Sequence, residues 1–400
     1  MLKFRLSPGF CCFFAVAIIV GYPVVAAMSE LFGINNRLTS VPYRAIVFLS
    51  ALLIIGASVQ KQFRLTFFWA IWWLFWILYL SRLLLDGIFV PETLLIPISE
   101  YWMQAVGVCL LPAVAVAIKF NALRERSVVS AIVAVGVLGL VLTGLVFIKK
   151  EGIPLSEFFS GRLETPTLNP IALGHLAVTV MLMSLCGMRA HSLWAKLIYS
   201  GCFVIGAAGL VASGSRGPIL SLIAVAFVWA ISKRRNFVMA ATATIIVVPA
   251  FLLFLAGSDS YIIHRVSTGF FEDAGRADIY RQAFNVFLDN IFLGGGVEPM
   301  ANYPHNLLVE SFIALGIFGG FIFTWMLIQG WLSAIKVMAA GRNDWIAILF
   351  VQYAAFVMVS SSLYIANVFW MMLACVVQLA RSYDGVEASH GMAVKNKEFF

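Results

Sequence analysis

The chain has 400 residues, of which 62% are hydrophobic and 12% charged, and its mean hydropathy is +0.96. A soluble domain is about 45–50% apolar and about 25% charged, so this composition excludes an ordinary soluble fold and predicts an all-α polytopic membrane protein. The formal net charge of +8 does not point to nucleic acid, because excess Lys and Arg in a membrane chain reports orientation.

A membrane span needs about 20 mostly apolar residues. That ruler predicts about twelve transmembrane helices, near 10–28, 43–59, 65–85, 97–118, 127–148, 170–188, 194–213, 216–232, 237–256, 306–335, 344–362 and 364–380. The first follows Lys3 and Arg5 but no small-residue cleavage site, so it reads as a retained span. The seventh and eighth are separated only by Ser213-Gly214-Ser215-Arg216-Gly217-Pro218. That pair, like the last two, reads either as two helices or as one broken helix. All six cysteines fall inside apolar segments without metal-ligand spacing and read as small hydrophobes.

Charge placement orients the spans. Seventeen of the 27 Lys and Arg fall in one set of connections, among them Arg124, Arg126, Arg189, Lys196 and Lys233-Arg234-Arg235. The other ten, including Arg37, Arg82, Lys149, Arg162, Arg216, Arg265 and Arg276, fall in the alternate set. The positive-inside rule assigns the first set, with both termini, to the cytoplasm. The connections around 149–169 and 257–304 then face the opposite side. On this reading 1–148 holds five N-terminal spans, 149–380 the remaining membrane region with its long loop 257–304, and 381–400 a polar cytoplasmic tail.

The long loop has its own pattern. From Ala277 to about Leu293, the apolar residues Ile279, Ala283, Phe284, Phe287 and Ile291 recur at helical spacing. Gly294-Gly295-Gly296 then stops the helix and frees the backbone to turn. The pattern predicts an amphipathic helix at the membrane surface. Arg276 stands at its start, and Asp278, Arg281, Gln282 and Asn285 occupy its polar positions.

Polar groups at a membrane boundary are where chemistry concentrates. His305 lies there, in Pro304-His305-Asn306-Leu307, at the mouth of the tenth span. With an ordinary pKa of about 6.5, an imidazole can accept a proton at neutral pH; the alternative is a structural hydrogen-bonder. Arg216 reads either as an anion ligand or as a snorkelling anchor. Arg276 reads either as an anion ligand or as a surface partner of Glu272, Asp273 or Asp278. Arg162 and Arg265 are further cations on the same side, Glu310 lies about one turn below His305, and His175 reads as a helix-packing residue. No His/Cys/Asp/Glu cluster with metal spacing and no nucleotide-binding glycine loop is present.

Three motifs in order, Ser213-Gly214-Ser215-Arg216-Gly217, Gly275-Arg276 leading to Tyr280, and His305-Asn306 followed nine residues later by Gly316-Ile317-Phe318-Gly319, resemble the O-antigen ligase and polymerase superfamily of bacterial envelope glycosyltransferases. The resemblance runs from about Arg162 to Gly320. It implies a GT-C-like membrane transferase without metal or cofactor, in the bacterial inner membrane, with its active site on the periplasmic face. The donor would be a glycan on undecaprenyl diphosphate. Arg216 and Arg276 would hold the diphosphate and His305 would be the base, with either Asn306 or Glu310 supporting it. Tyr280 stands where the family usually has another aromatic, often Trp. The implied acceptor for a ligase is the lipid A–core oligosaccharide. A polymerase would join lipid-linked repeat units instead, and a third relative transfers glycan to Ser or Thr of proteins. The length, the single main loop and the lack of an added soluble domain favour the ligase. A transporter or flippase is the alternative of another class, but its site would lie near mid-membrane between two matching halves.

Overall fold

The computed structural model describes residues 6–58, 66–152, 167–190, 192–232, 274–300 and 303–395. The predicted ninth span, Arg162 and Arg265 lie outside them. In chain order the helices are α1 (Pro8–Leu31), α2 (Asn36–Gly56), α3 (Phe67–Phe89), α4 (Ile98–Ala122), α5 (Glu125–Glu151), α6 (Pro170–Gly187), α7 (Leu193–Ser213), α8 (Arg216–Ser232), α9 (Ala274–Asp289), α10 (Leu307–Ala340), α11 (Asp344–Val357) and α12 (Asn367–Lys395). No strand occurs among the described residues. Eight helices, α1 to α7 and α10, are long and apolar enough to cross a membrane, whereas α8 and α11 are shorter apolar helices. Against the expected twelve spans, this is the number that length and composition support among the described residues.

Local chemistry explains where the helices begin and end. Asn35 and Asn169 cap α2 and α6 by accepting the Arg37 and Ala172 backbone N–H groups. Gly214 ends α7 in the left-handed conformation at φ 57°, which glycine adopts without a Cβ clash. α12 continues past Arg381 into the segment expected to be a polar tail. Its extension is tied down by a Lys336–Asp384 pair and by the Tyr383 hydroxyl, which donates to Arg342 O at 2.6 Å.

Contacts at the helix ends join connections assigned to the same side with each other. Lys149 donates to Leu31 O (3.1 Å) and Arg37 pairs with Glu100 (3.4 Å) at one end. Arg189 pairs with Asp344 (2.6 Å), and Arg381 reaches Thr66, at the other.

Buried aromatics form the centre of the bundle. Trp72, Phe75 and Trp76 of α3 pack on Trp370 of α12 at centroid distances of 5.3, 5.4 and 4.9 Å, and Phe75 also meets Phe323 of α10. Edge-to-face and tilted pairs of this kind stabilise beyond their buried area. Apolar side chains such as Leu53, Ile77, Phe227 and Phe321 instead face outward. Exposed apolar surface this extensive is what lipid contact requires. Together with the candidate spans, it defines an integral membrane protein.

Candidate functional site

Backbone chemistry in α10 organises this end of the molecule. The helix is broken at Gly316, where φ is 66° and ψ −163°. A break inside a hydrophobic helix leaves amide groups that need other partners. The segment following α9 supplies them: Gly295 N–H donates to Ile313 O, and Ile317 N–H donates to Ile291 O, each at 2.7 Å. The two backbones touch, so side chains are excluded. A Cβ on Gly316 would lie 2.6 Å from Ile291 O and closer still to Phe292 O, and one on Gly294 would lie 2.5 Å from Leu315 N. The triple glycine is therefore a plug for the helix break as well as a turn.

A charged clamp holds the plug from α3. Arg82 Nε pairs with Asp86 at 2.9 Å, and its Nη1 donates to Gly294 O at 3.0 Å. Asp86 Oδ2 accepts the Val297 N–H at 2.7 Å. Next along the chain, buried Glu298 accepts from the Tyr101 hydroxyl of α4 at 2.9 Å. These four side chains were not among the sequence candidates. The signal for two of them was present, since Arg82 and Asp86 are an i,i+4 ion pair inside an apolar helix.

Burial raises the Glu298 carboxyl pKa above its ordinary value of 4.5, opposed by the Tyr101 hydrogen bond. The folded state thus disfavours the ionised form. The resulting stabilisation is fully present below the unfolded value and is lost as pH rises through the folded one. Glu298→Gln keeps an acceptor for Tyr101 and removes the charge. Its melting temperature in detergent should exceed that of the wild type at pH 8, and the gap should narrow towards pH 5. A gap that stays constant with pH would show that Glu298 titrates alike in both states.

The helix predicted in the long loop is α9, Ala274–Asp289, shifted a few residues towards the N-terminus. It is amphipathic, but its inner face packs on protein. Ile279, Ala283, Val286 and Phe287 meet Met300 and, from α10, Val309 and Ile313. Phe284, expected on that face, is 58% exposed and aligns with Tyr280 and Leu288 on a second, outward stripe. The helical period places positions 280, 284 and 288 one above another, away from 279, 283 and 287. Arg276 lies in the first turn of α9, and Arg281 pairs loosely with Asp278 (4.0 Å) on its solvated side.

His305 occupies the residue before the N-cap of α10. It is exposed, and its φ of 51° is left-handed, a region that His enters more readily than most non-glycine residues. Asn306 sets this geometry. Its Oδ1 accepts the Leu308 and Val309 N–H groups at 3.0 and 3.2 Å, and its Nδ2 donates to Met358 O at 2.9 Å. The Tyr303 ring meets the imidazole edge-on, with centroids 5.4 Å apart. Burial, reinforced by the Glu310 carboxylate, pushes the Tyr303 phenol well above its ordinary range and keeps it protonated.

Glu310 is fully buried, and both of its oxygens are engaged by the loop between α11 and α12. Ser362 Oγ donates to Oε1 and Leu363 N–H to Oε2, each at 2.9 Å. The Trp370 indole of α12 fixes the same loop by donating to Leu363 O at 2.8 Å. The loop also reaches α8. A Cβ on Gly217, beside Arg216, would lie 3.3 Å from Val359 and 3.9 Å from His175 Nε2. Residues 358–359 therefore touch the neighbours of both His305 and Arg216. Gly174 of α6 closes the other side of the Arg216 turn, where a Cβ would come within 2.8 Å of Ser213 Oγ. His175 is buried with its ring 4.1 Å from that of Phe356, a packing position.

The structure thus brings Arg216 and His305 to one end of the bundle through the 358–363 loop, with α9, from Ile279 onward, packed on the first turns of α10. Asn306 and Glu310 lie within this framework, whereas Tyr280 faces outward from it. An exposed imidazole at the same end of the bundle as an arginine-bearing turn can accept a proton near an anion bound at that end.

This is a helical membrane protein with Arg216 and His305 at one end of its bundle. Residues 201–324, from within α7 to within α10, match the family model described as O-antigen ligase, and that match supports a likeness of this region to the O-antigen ligase and polymerase superfamily. The match covers a little under a third of the chain and includes Arg216, Arg276 and His305. No curated protein matches the chain.

Proposed function

We propose that this protein is an O-antigen ligase. It transfers a glycan from undecaprenyl diphosphate to a sugar hydroxyl of the lipid A–core oligosaccharide, at the periplasmic face of the bacterial inner membrane. The observation that carries this reading is that one family-matched region holds all three candidate groups, with His305 presented by a capped, backbone-fixed helix start.

In this reading the acceptor hydroxyl attacks the anomeric carbon while His305 takes its proton. The bond from that carbon to the diphosphate oxygen breaks, and undecaprenyl diphosphate leaves with the electron pair. Arg216 and Arg276 stabilise the charge that builds on it, as a divalent cation does in many sugar transferases. Arg162 and Arg265 are further anion contacts, and Tyr280 is an outer contact for the donor. The region 149–380, GT-C-like in arrangement, carries the chemistry, and 1–148 forms its membrane scaffold. A single displacement inverts the anomeric centre.

The test is a gel of envelope lipopolysaccharide from cells lacking the protein, with and without the wild-type gene. A ligase predicts loss of the whole ladder and long polymer accumulating on the lipid carrier. Core bearing a single repeat unit would assign the polymerase instead. An unchanged ladder would remove both and return protein glycosylation and transport to consideration.

A further inference from the structure

The opposite end of the bundle from His305 contains a cavity of about 340 Å³ that no step of the proposed reaction uses. It lies where α5 and α7 begin and α6 ends. Glu125, Arg126, Ser130, Arg189 and Tyr199 are its polar walls. Ser130 Oγ and the Tyr199 hydroxyl lie 2.8 Å apart. Arg189 spends one nitrogen on Asp344 at 2.6 Å and is about half exposed, so its remaining N–H groups are accessible from the cavity. Arg126 is exposed, and the helix starts at α5 and α7 add their positive dipole ends.

Two guanidiniums and two helix N-termini suit a phosphate group, which a guanidinium binds through paired N–H donors. Glu125, on the same wall, disfavours a multiply charged anion and suits an ammonium group. Beside the cavity, α7 turns Leu193, Trp194, Leu197 and Ile198 outward, with Trp194 76% exposed. An apolar wall with an interfacial Trp is where an acyl chain runs and the headgroup level lies. Basic pockets between helices on the positively charged side of a membrane protein are suited to phospholipid headgroups.

We propose that this cavity binds the headgroup of a phospholipid carrying both a phosphate and an amine, with Arg126 and Arg189 on the phosphodiester and Glu125 on the ammonium. The positive-inside reading places this lipid in the cytoplasmic leaflet. The site stands on its own geometry and does not depend on the transferase reading.

Native mass spectrometry of the delipidated full chain in detergent provides the test, using phosphatidylethanolamine, phosphatidylglycerol, phosphatidylcholine and free phosphoethanolamine. The ethanolamine lipid should be retained best. Arg126→Gln should weaken its retention about tenfold or more, the loss expected for a charge-assisted contact. Arg124→Gln, at the same end but outside the cavity, should leave retention unchanged. Glu125→Gln, at a partly exposed helix start, should erase the preference over phosphatidylglycerol while keeping phosphate-dependent binding. Equal retention by wild type and Arg126→Gln would overturn the site. Free phosphoethanolamine binding as tightly as the lipid would overturn the lipid source and indicate a soluble ligand. If Arg126→Gln does not yield folded protein, Glu125→Gln decides alone, and an unchanged lipid preference in it would overturn the assignment.

Discussion

His305→Asn is expected to lower glycan transfer by about 10²- to 10⁴-fold, the contribution of a positioned general base. Asparagine is the informative replacement. His305 sits at φ 51°, and Asn tolerates the left-handed region, whereas Ala would add backbone strain of about 1 kcal/mol or more. Any loss of rate then reports missing proton acceptance and not a displaced helix start. The assay should follow transfer from a lipid-linked donor with the variant in detergent or nanodiscs, with a size-exclusion profile as the check on folding. In the proposed reading donor binding should persist, because Arg216 and Arg276, assigned there to the diphosphate, are untouched. A variant that folds and turns over within about threefold of the wild type would remove His305 as the base and leave it the structural role it could also have played.

Gly316→Ala and Gly294→Ala should have the largest effects on folding. At each position the new Cβ would meet main-chain atoms of the partner segment at 2.6 Å or less, at φ 66° and 75° respectively. Backbone cannot rotate aside as a side-chain tip does, and left-handed φ adds its own strain. Overpacking alone costs about 1–3 kcal/mol. Separation of the two segments would also leave the Gly295 and Ile317 N–H groups and their acceptors unpaired in an apolar setting, at about 1–3 kcal/mol each. Together these approach the whole stability of many domains, so little monodisperse protein should be recovered. Gly56→Ala is the control, since nothing lies within 4 Å of its added Cβ and Ala is the better helix former. Wild-type yield and melting temperature for Gly316→Ala would mean that the break in α10 is not held by the triple-glycine segment.

Much of this architecture is legible without coordinates, for identifiable reasons. Spans are read from hydropathy because the bilayer allows essentially one solution, a helix of about 20 apolar residues. The predicted limits 170–188, 194–213 and 216–232 fall within a residue of α6, α7 and α8. Capping residues, glycine stops and the helical period all act within one turn, so α9 was visible in a mostly polar loop. Where prediction slipped, distant contacts were responsible. Phe284 satisfies the helical period but faces outward, because α10 covers only the stripe that starts at Ile279. α12 runs past its apolar segment because Asp384 and Tyr383 find partners on α10 and in the turn that follows it.

The sequence by itself determined that the chain lives in a membrane, which residues carry charge at each end of its spans, and that His305, Arg216 and Arg276 occur in the order of a known superfamily. Those properties are local or statistical and need no knowledge of neighbours. The tertiary structure alone decided which groups support them. Asn306 binds Met358 across 52 residues, Glu310 binds Ser362 across the same separation, and Arg82 reaches Gly294 across 212. Each of these contacts forms because a buried polar group in an apolar bundle must find a partner wherever the packing brings one. That demand is strict, but the partner's identity depends on which helices meet, and no spacing along the chain encodes it.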